Sequence, residues 1–146
     1  MIAKRPKASS PDALRRMKAT RRRDTAAEMA IRSALHTRGL RFRVDRSILP
    51  GVRRRADIVF VTAKVAVFVD GCFWHCCPIH QTYPKANMKW WTAKLQANRQ
   101  RDADTNRQIR EAGWFVARIW EHESPGDAIT RIVKLVQLRQ RRFAAR

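Results

Sequence analysis

One eleven-residue stretch holds most of the reactive side chains in this chain. Residues 70–80 read Asp-Gly-Cys-Phe-Trp-His-Cys-Cys-Pro-Ile-His and contain all three cysteines, two of the four histidines, two large aromatics and an acid. Cys72, Cys77 and His80 stand in the spacing C-x4-C-x2-H, and His122 follows a later apolar run. Two thiolates and two imidazoles suit a closed tetrahedral zinc site. Cys76 is a spare thiol, so the ligand set stays open, and reduced buried cysteines beside surface histidines are the alternative. An odd, tightly clustered set of cysteines is not a disulfide framework. In a reducing compartment such a cluster binds metal or reacts. His75 lies outside the zinc spacing. It could act as a general base, taking a proton from water that attacks phosphorus. Phe73 and Trp74 form an adjacent aromatic pair on a loop, either as a plug beneath it or as a wedge for a base stack.

Two acids outside this stretch extend the chemistry. Asp57 opens the apolar run Ala56-Asp57-Ile58-Val59-Phe60-Val61, which is followed by Val65-Ala66-Val67-Phe68-Val69-Asp70. Both runs read as strands covered on both faces. Residues 62–64 are short enough for a hairpin. Pairing Val61 with Val65 would set Asp57 opposite Val69, and a one-residue slip would set it opposite Asp70. An acid near another acid and a histidine is a divalent-metal candidate, although a lone Asp there also serves turns and caps. Glu28 shares a helix face with Ile31 and Leu35. It could join the same site or only cap its own helix.

The elements that must position these groups follow from the pattern. Thr25 with Glu28 three residues on is a capping box, and Gly39 is a helix stop, so a helix is expected over roughly 24–39. Residues 41–44 read as a short strand and Leu49-Pro50-Gly51 as a turn. A long helix is expected over 87–112, with Trp90, Trp91, Leu95 and Ile109 at apolar positions, Trp90 in the core, and Gly113 as its stop. Residues 114–120 read as a strand. Ser124-Pro125 opens a last helix with Ile129, Ile132, Val133, Val136 and Leu138 on its apolar side. Helix, three strands, helix, strand, helix is an α/β arrangement around a central mixed β-sheet.

The chain of 146 residues carries 32 Lys and Arg against 12 Asp and Glu, a net charge of +20. That imbalance points to a polyanion, with nucleic acid ahead of an anionic membrane. Residues 1–23 form a basic N-terminal arm, with Lys4, Arg5, Lys7, Arg15, Arg16, Lys18, Arg21, Arg22 and Arg23 against Asp12, and Met17 among its few apolar residues. The reading is an arm that orders on DNA phosphates. Residues 24–141 are a single domain and 142–146 a basic tail. No apolar run approaches the roughly 20 residues of a membrane span, and no signal peptide is evident. A cytoplasmic protein at the bacterial nucleoid is expected.

These residues resemble a family. Gly-Cys-Phe-Trp-His at 71–75, Arg23-Asp24-Thr25 with Glu28, Leu49-Pro50-Gly51, Ala56-Asp57-Ile58-Val59-Phe60, Asn98 with Arg101-Asp102, and Gly113-Trp114 leading to Trp120-Glu121-His122 occur in this order in very short patch repair (Vsr-type) endonucleases. The likeness spans roughly residues 14–123. It implies a restriction-endonuclease-like three-layer α/β fold and a magnesium-dependent enzyme that nicks duplex DNA. The nick falls on the 5′ side of the thymine in a T:G mismatch left by deaminated 5-methylcytosine. Carried over, Asp57 is the Mg²⁺ ligand, aided by the backbone carbonyl of Val69. His75 is the catalytic base and Glu28 belongs to the same site. Cys72, Cys77, His80 and His122 match a structural Zn²⁺ site. Phe73, Trp74 and Trp91 match aromatics that intercalate beside the mismatch, and Met17 the residue entering from the other groove. Asp70, Asn98 and Asp102 support the site.

The departures are specific. The usual nuclease pattern of a second acid and a lysine is absent, with Val69 and Gly71 in those places. Asp70 stands where some relatives have histidine; contact with Asp102 or Asn98 through a partner, or with the metal through water, are the open roles. Cys76 is an extra thiol, and His122 stands where some relatives have cysteine. The expected partner is double-stranded DNA with a T:G mismatch, with mismatch repair proteins as further candidates, no membrane, and a monomer. Two alternatives are carried: a non-catalytic zinc-dependent DNA-binding module, and a nuclease of the same fold with another lesion preference.

Overall fold

The computed structural model describes residues 3–20 and 23–146. Met1, Ile2, Arg21 and Arg22 lie outside the described residues. The elements run α1 (Pro11–Ala19), α2 (Ala26–Thr37), β1 (Arg43–Ser47), β2 (Arg55–Phe60), β3 (Val65–Asp70), α3 (Met88–Glu111), β4 (Phe115–Trp120) and α4 (Pro125–Ala144). The four strands form one mixed sheet in the order β1-β2-β3-β4. β1, β2 and β3 pair antiparallel, and β3 pairs parallel with β4. A parallel pair needs a long crossover, and α3 supplies it.

Helices cover both faces. Ile31 and Leu35 of α2 and Ala128, Ile129, Ile132 and Val136 of α4 bury one face with Ile58, Phe60, Val65, Val67 and Ile119. On the other side Ile109 of α3 packs with Val59, Ala66, Phe68 and Val116. Sandwiching explains why β2 and β3 read as continuous apolar runs. Each fully buried Leu, Ile or Val contributes about 1.5–3 kcal/mol relative to exposure.

Two predicted stops take one geometry. The N–H of Gly39 donates to the His36 carbonyl at 2.9 Å and that of Leu40 to the Leu35 carbonyl at 3.1 Å. At the end of α3, Gly113 donates to Arg110 and Trp114 to Ile109, at 2.9 and 3.2 Å. These are Schellman closures. The residue at the turn needs positive φ, here 75° and 86°, which glycine adopts without a Cβ penalty.

Several expectations are corrected. The β2–β3 register pairs Phe60 with Val65 and Ile58 with Val67. The connection is therefore four residues, 61–64, closed by Lys64 at φ 50°. Extending the register puts Asp57 across from Phe68, one position before Val69 and two before Asp70, the two expected partners. The first strand lies at 43–47 rather than 41–44. Leu138 is 54% exposed, because it follows Val136 by two residues and so points away from the stripe formed by Ile129, Ile132 and Val136. The basic arm contains a helix that the sequence reading did not anticipate: Ser10 caps α1 by accepting from the Ala13 N–H at 3.1 Å, with Pro11 at its first position.

Candidate active site and metal centre

Three groups of side chains meet around the loop that follows β3. That loop is tied to β4, since the Cys72 N–H donates to Glu121 Oε1 at 2.8 Å and the Glu121 N–H to the Asp70 carbonyl at 2.9 Å. Its inner turn is closed by His75 N–H to Gly71 carbonyl at 3.1 Å and Cys77 N–H to Cys72 carbonyl at 2.9 Å.

The first group could hold a metal ion. One donor atom from each of Cys72, Cys77, His80 and His122 lies within 4.8 Å of the others. Cys77 Sγ is 3.7 Å from His80 Nδ1 and 3.6 Å from His122 Nδ1, and Cys72 Sγ lies 4.0 and 3.1 Å from the same two nitrogens. Those separations are close to the edges of a tetrahedron around an ion with bonds of about 2.0–2.3 Å. The thiols are buried and the imidazoles exposed. Burial pushes the Cys72 thiol up to about 11. Cys77 also meets desolvation, but backbone N–H groups of His80 and Ile79 outweigh it and lower its pKa. Cys76 is not part of the set. Positive φ of 57° turns it inward, and its Sγ contacts the Leu95 carbonyl at 3.6 Å. The spare thiol is thus a packing residue against α3.

The second group surrounds His75. Its Nδ1 lies 2.6 Å from Asp102 Oδ2 on α3 and 3.7 Å from Asp70 Oδ1 at the end of β3. An ionised carboxylate only accepts, so Nδ1 carries the proton and Nε2 is the free basic atom. Desolvation opposes protonation of His75, but the Asp102 bond and the charges of Asp70 and Asp102 outweigh it and raise its pKa. Burial likewise raises the carboxyl of Asp70, against the pull of Arg118. Asn98 does not touch the histidine. Its Nδ2 donates to the Trp74 carbonyl at 3.2 Å and its Oδ1 accepts from Arg101 at 2.6 Å, so it fixes the loop backbone one residue before His75.

Asp57 and Glu28 approach from β2 and α2. Asp57 Oδ2 accepts from the Val69 N–H at 2.6 Å. Burial pushes its carboxyl up to about 7; the Val69 bond opposes this, and the charges of Glu28 and Asp70 add to it. Glu28 is buried, 3% exposed, and caps its own helix start. It accepts from the Asp24 N–H at 3.0 Å and from Thr25 Oγ1 at 3.2 Å at its own helix start, while its charge acts on Asp57. A desolvated carboxylate beside a second acid disfavours its own charge unless a cation joins it, so this pair fits a divalent ion.

The third group is aromatic. Phe73, Trp74 and Trp91 pack edge to face or tilted, with centroids 5.1–5.8 Å apart. With Met17 of α1 they line one cavity of about 430 Å³, rimmed by Arg5, Lys7 and Arg16. Trp90 is here as well, not in the core. It packs on Trp91 at 4.9 Å and its indole N–H donates to the Ala3 carbonyl at 2.7 Å.

Two arginines escaped the sequence reading. Arg32 reaches Asp24 Oδ1 at 2.6 Å and Glu28 Oε2 at 3.1 Å. Arg118 reaches both oxygens of Asp70, at 2.8 and 3.0 Å. A charge inside the apolar run Phe115–Trp120 was the available signal, because a buried arginine needs an acid.

No helix among the described residues is long and apolar enough to cross a membrane. The geometry therefore joins a histidine–carboxylate pair, a desolvated acid pair, an aromatic cavity and a Cys/His cluster on a strongly basic chain. Comparison with known proteins places the chain among DNA endonucleases. Residues 11–81 match the family described as DNA mismatch endonuclease Vsr. The chain is 47% identical over 121 residues to the type II nicking enzyme V.NaeI of Lentzea aerocolonigenes, covering 82% of this chain and 73% of the relative. It is 42% identical over 109 residues to the type II nicking enzyme V.XorIIP of Xanthomonas oryzae pv. oryzae, covering 73% and 77%. It is 37% identical over 109 residues to the DNA mismatch endonuclease Vsr of Escherichia coli strain K12, covering 72% and 66%. The family match and identities of 37–47% over most of the chain make it an endonuclease of DNA that belongs to the Vsr family.

Proposed function

We propose that this endonuclease nicks one strand of duplex DNA on the 5′ side of the thymine in a T:G mismatch, within a restriction-endonuclease-like fold. The observation that carries the reading is that Phe73 and Trp74 immediately precede His75 on one short loop, with both rings and Met17 lining the same cavity. A wedge beside a base step and a base for hydrolysis are then set one residue apart. Met17 stands on the arm side of the cavity, so the two faces could enter a base stack from opposite grooves.

In this reading Asp57, with the Val69 carbonyl and Glu28 beside it, holds Mg²⁺, which neutralises charge on the scissile phosphate when bound. His75 Nε2 takes the proton of the attacking water, and the imidazolium that forms is held by Asp102 through Nδ1. Cys72, Cys77, His80 and His122 hold Zn²⁺, whose thiolate and imidazole ligands match its preference. The protein acts as a cytoplasmic monomer on chromosomal DNA, in the company of mismatch repair proteins.

The test is a nicking assay on T:G, U:G and fully paired duplexes of varied flanking sequence, with and without Mg²⁺. The expected result is Mg²⁺-dependent scission of one strand at T:G and intact paired DNA. Equal rates on all three duplexes would overturn the mismatch preference. A second reading rests on the relatives named type II nicking enzymes: a nuclease whose cleavage follows flanking sequence or another lesion, which the same panel detects. Binding without scission on every duplex would instead favour the zinc-dependent binding module.

The aromatics give a separate expectation. Phe73→Ala or Trp74→Ala should weaken binding to the T:G duplex by about 10–100-fold, since stacking on a base contributes roughly 1–3 kcal/mol. Affinity for paired DNA should change little. Equal losses on both duplexes, read by fluorescence anisotropy at fixed salt, would assign these rings to the loop's own packing.

A further inference from the structure

His75 has two carboxylates within reach of one N–H. Asp102 Oδ2 is at 2.6 Å and Asp70 Oδ1 at 3.7 Å. Asp102 rides on α3, whereas Asp70 is fixed in the sheet, where β3 pairs with β4 through Asp70 and Trp120. A loop histidine placed between two anionic acceptors on different elements has no single orientation unless one acceptor is occupied.

Arg118 occupies it. On β4 it lies on the same face of the sheet as Asp70, two positions along. Its Nη1 spans both Asp70 oxygens, at 2.8 and 3.0 Å. Its Nε donates to Asn106 Oδ1 on α3 at 2.9 Å, its Nη2 lies 3.8 Å from Asp102 Oδ1, and the guanidinium sits over the Phe68 ring at 4.4 Å. Every edge of the fork and one of its faces are therefore engaged. The group ties α3 to the sheet at the level of Asp102. A planar guanidinium does this where an ammonium point charge cannot.

We propose that Arg118 is a positioning residue for His75: by taking both oxygens of Asp70 it leaves Asp102 as the acceptor of the Nδ1–H, and so fixes the direction in which Nε2 faces. This rests on the reading of His75 as the base. Without Arg118, Asp70 is an unpaired buried acid beside the histidine, and such a charge takes whatever partner is near. The ring is then drawn from Asp102 towards Asp70, and α3 loses its tie through Asn106.

The experiment compares the full-length wild type with Arg118→Met, Arg118→Lys and the double variant Arg118→Met/Asp70→Asn. Nicking is followed in single turnover on a T:G duplex, and duplex affinity by anisotropy. The four-histidine ring nitrogen spectrum is recorded without DNA. Arg118→Met should lower the rate about 10–100-fold, the usual loss when a residue orienting a reacting side chain is removed, with affinity within about twofold. The His75 Nδ1–H resonance, far downfield in the wild type, should move or vanish. Arg118→Lys should fall between. The double variant, which removes the competing carboxylate, should regain most of the rate and the resonance. An unaltered rate and spectrum in Arg118→Met would overturn the proposal, and so would a folded double variant no better than the single one. If Arg118→Met does not fold, the lysine and double variants decide on the same criteria. The spectrum is independent of scission: failure of the wild type to nick T:G would remove the functional reading and leave the positioning result standing.

Discussion

Asp57→Asn and His75→Ala should each abolish strand scission while the protein still binds a T:G duplex. Asp57 is expected to have the larger effect, because under the proposed mechanism its loss removes the ligand of the metal that would neutralise the scissile phosphate, an interaction of several kcal/mol in the transition state. That corresponds to a fall of about 10³-fold or more in the single-turnover rate. Loss of His75 removes general-base assistance, about 10²–10⁴-fold. Neither side chain lines the aromatic cavity, so affinity for T:G should stay within a fewfold of the wild type. Full scission in either variant would remove that residue from the chemistry.

The environment of Asp57 adds a pH signature with a defined sign. Its carboxyl is raised from 3.8 to about 7, first by burial. Proton and Mg²⁺ compete for the same oxygens. The Mg²⁺ concentration giving half-maximal scission should therefore rise about tenfold for each pH unit below 7 and level off above it. Stability of the metal-free protein runs the same way. A raised folded-state pKa means the folded chain holds a proton that the unfolded chain has released. The stabilisation is present in full below about pH 4 and is lost as pH climbs through about 7, by at most about 1.4 kcal/mol per unit. Added Mg²⁺ should flatten that decline. A half-maximal Mg²⁺ concentration that is independent of pH would place the metal elsewhere.

Much of this site could be read from local pattern, and the part that could not is instructive. The Cys/His spacing, the aromatic pair and the glycine stops are short-range features. Gly39 and Gly113 end their helices through bonds spanning five residues. Register was different. Asp57 falls opposite Phe68, one position from Val69 and two from Asp70, because the turn absorbs four residues, with Lys64 in the left-handed region, and nothing local distinguishes that turn from a three-residue one. Arg118 was missed for a related reason. Its partners Asp70, Asn106 and Asp102 lie 12 to 48 residues away, and only the parallel β3–β4 pairing brings them together. Trp90 reads as core by helical spacing, yet it forms the wall of an open cavity. The segment that meets it is the N-terminal one, through the Ala3 carbonyl, and its composition resembles a disordered tail.

Stripping the Cys/His metal from the protein should cost recognition and catalysis together, which separates it from the Asp57 and His75 variants. Phe73, Trp74 and His75 all hang on the loop between Cys72 and Cys77, and the loop has little core of its own: its buried side chains are the three cysteines, two of them in the Cys/His cluster. A structural zinc contributes on the order of 10 kcal/mol, far more than that packing. The imidazoles of His80 and His122 are exposed, so a chelator has access. Chelation should lower the melting temperature, and T:G affinity and nicking should fall in parallel, both returning with Zn²⁺ as protons are released from the thiols. Cys77→Ser should reproduce the loss and resist rescue. Cys76→Ser should keep the metal, because its sulfur faces Leu95. A chelated protein that still discriminates T:G from paired DNA would show that the loop holds its shape through the Glu121 and Asn98 hydrogen bonds alone, and the metal would then have no part in aiming the wedge and the base.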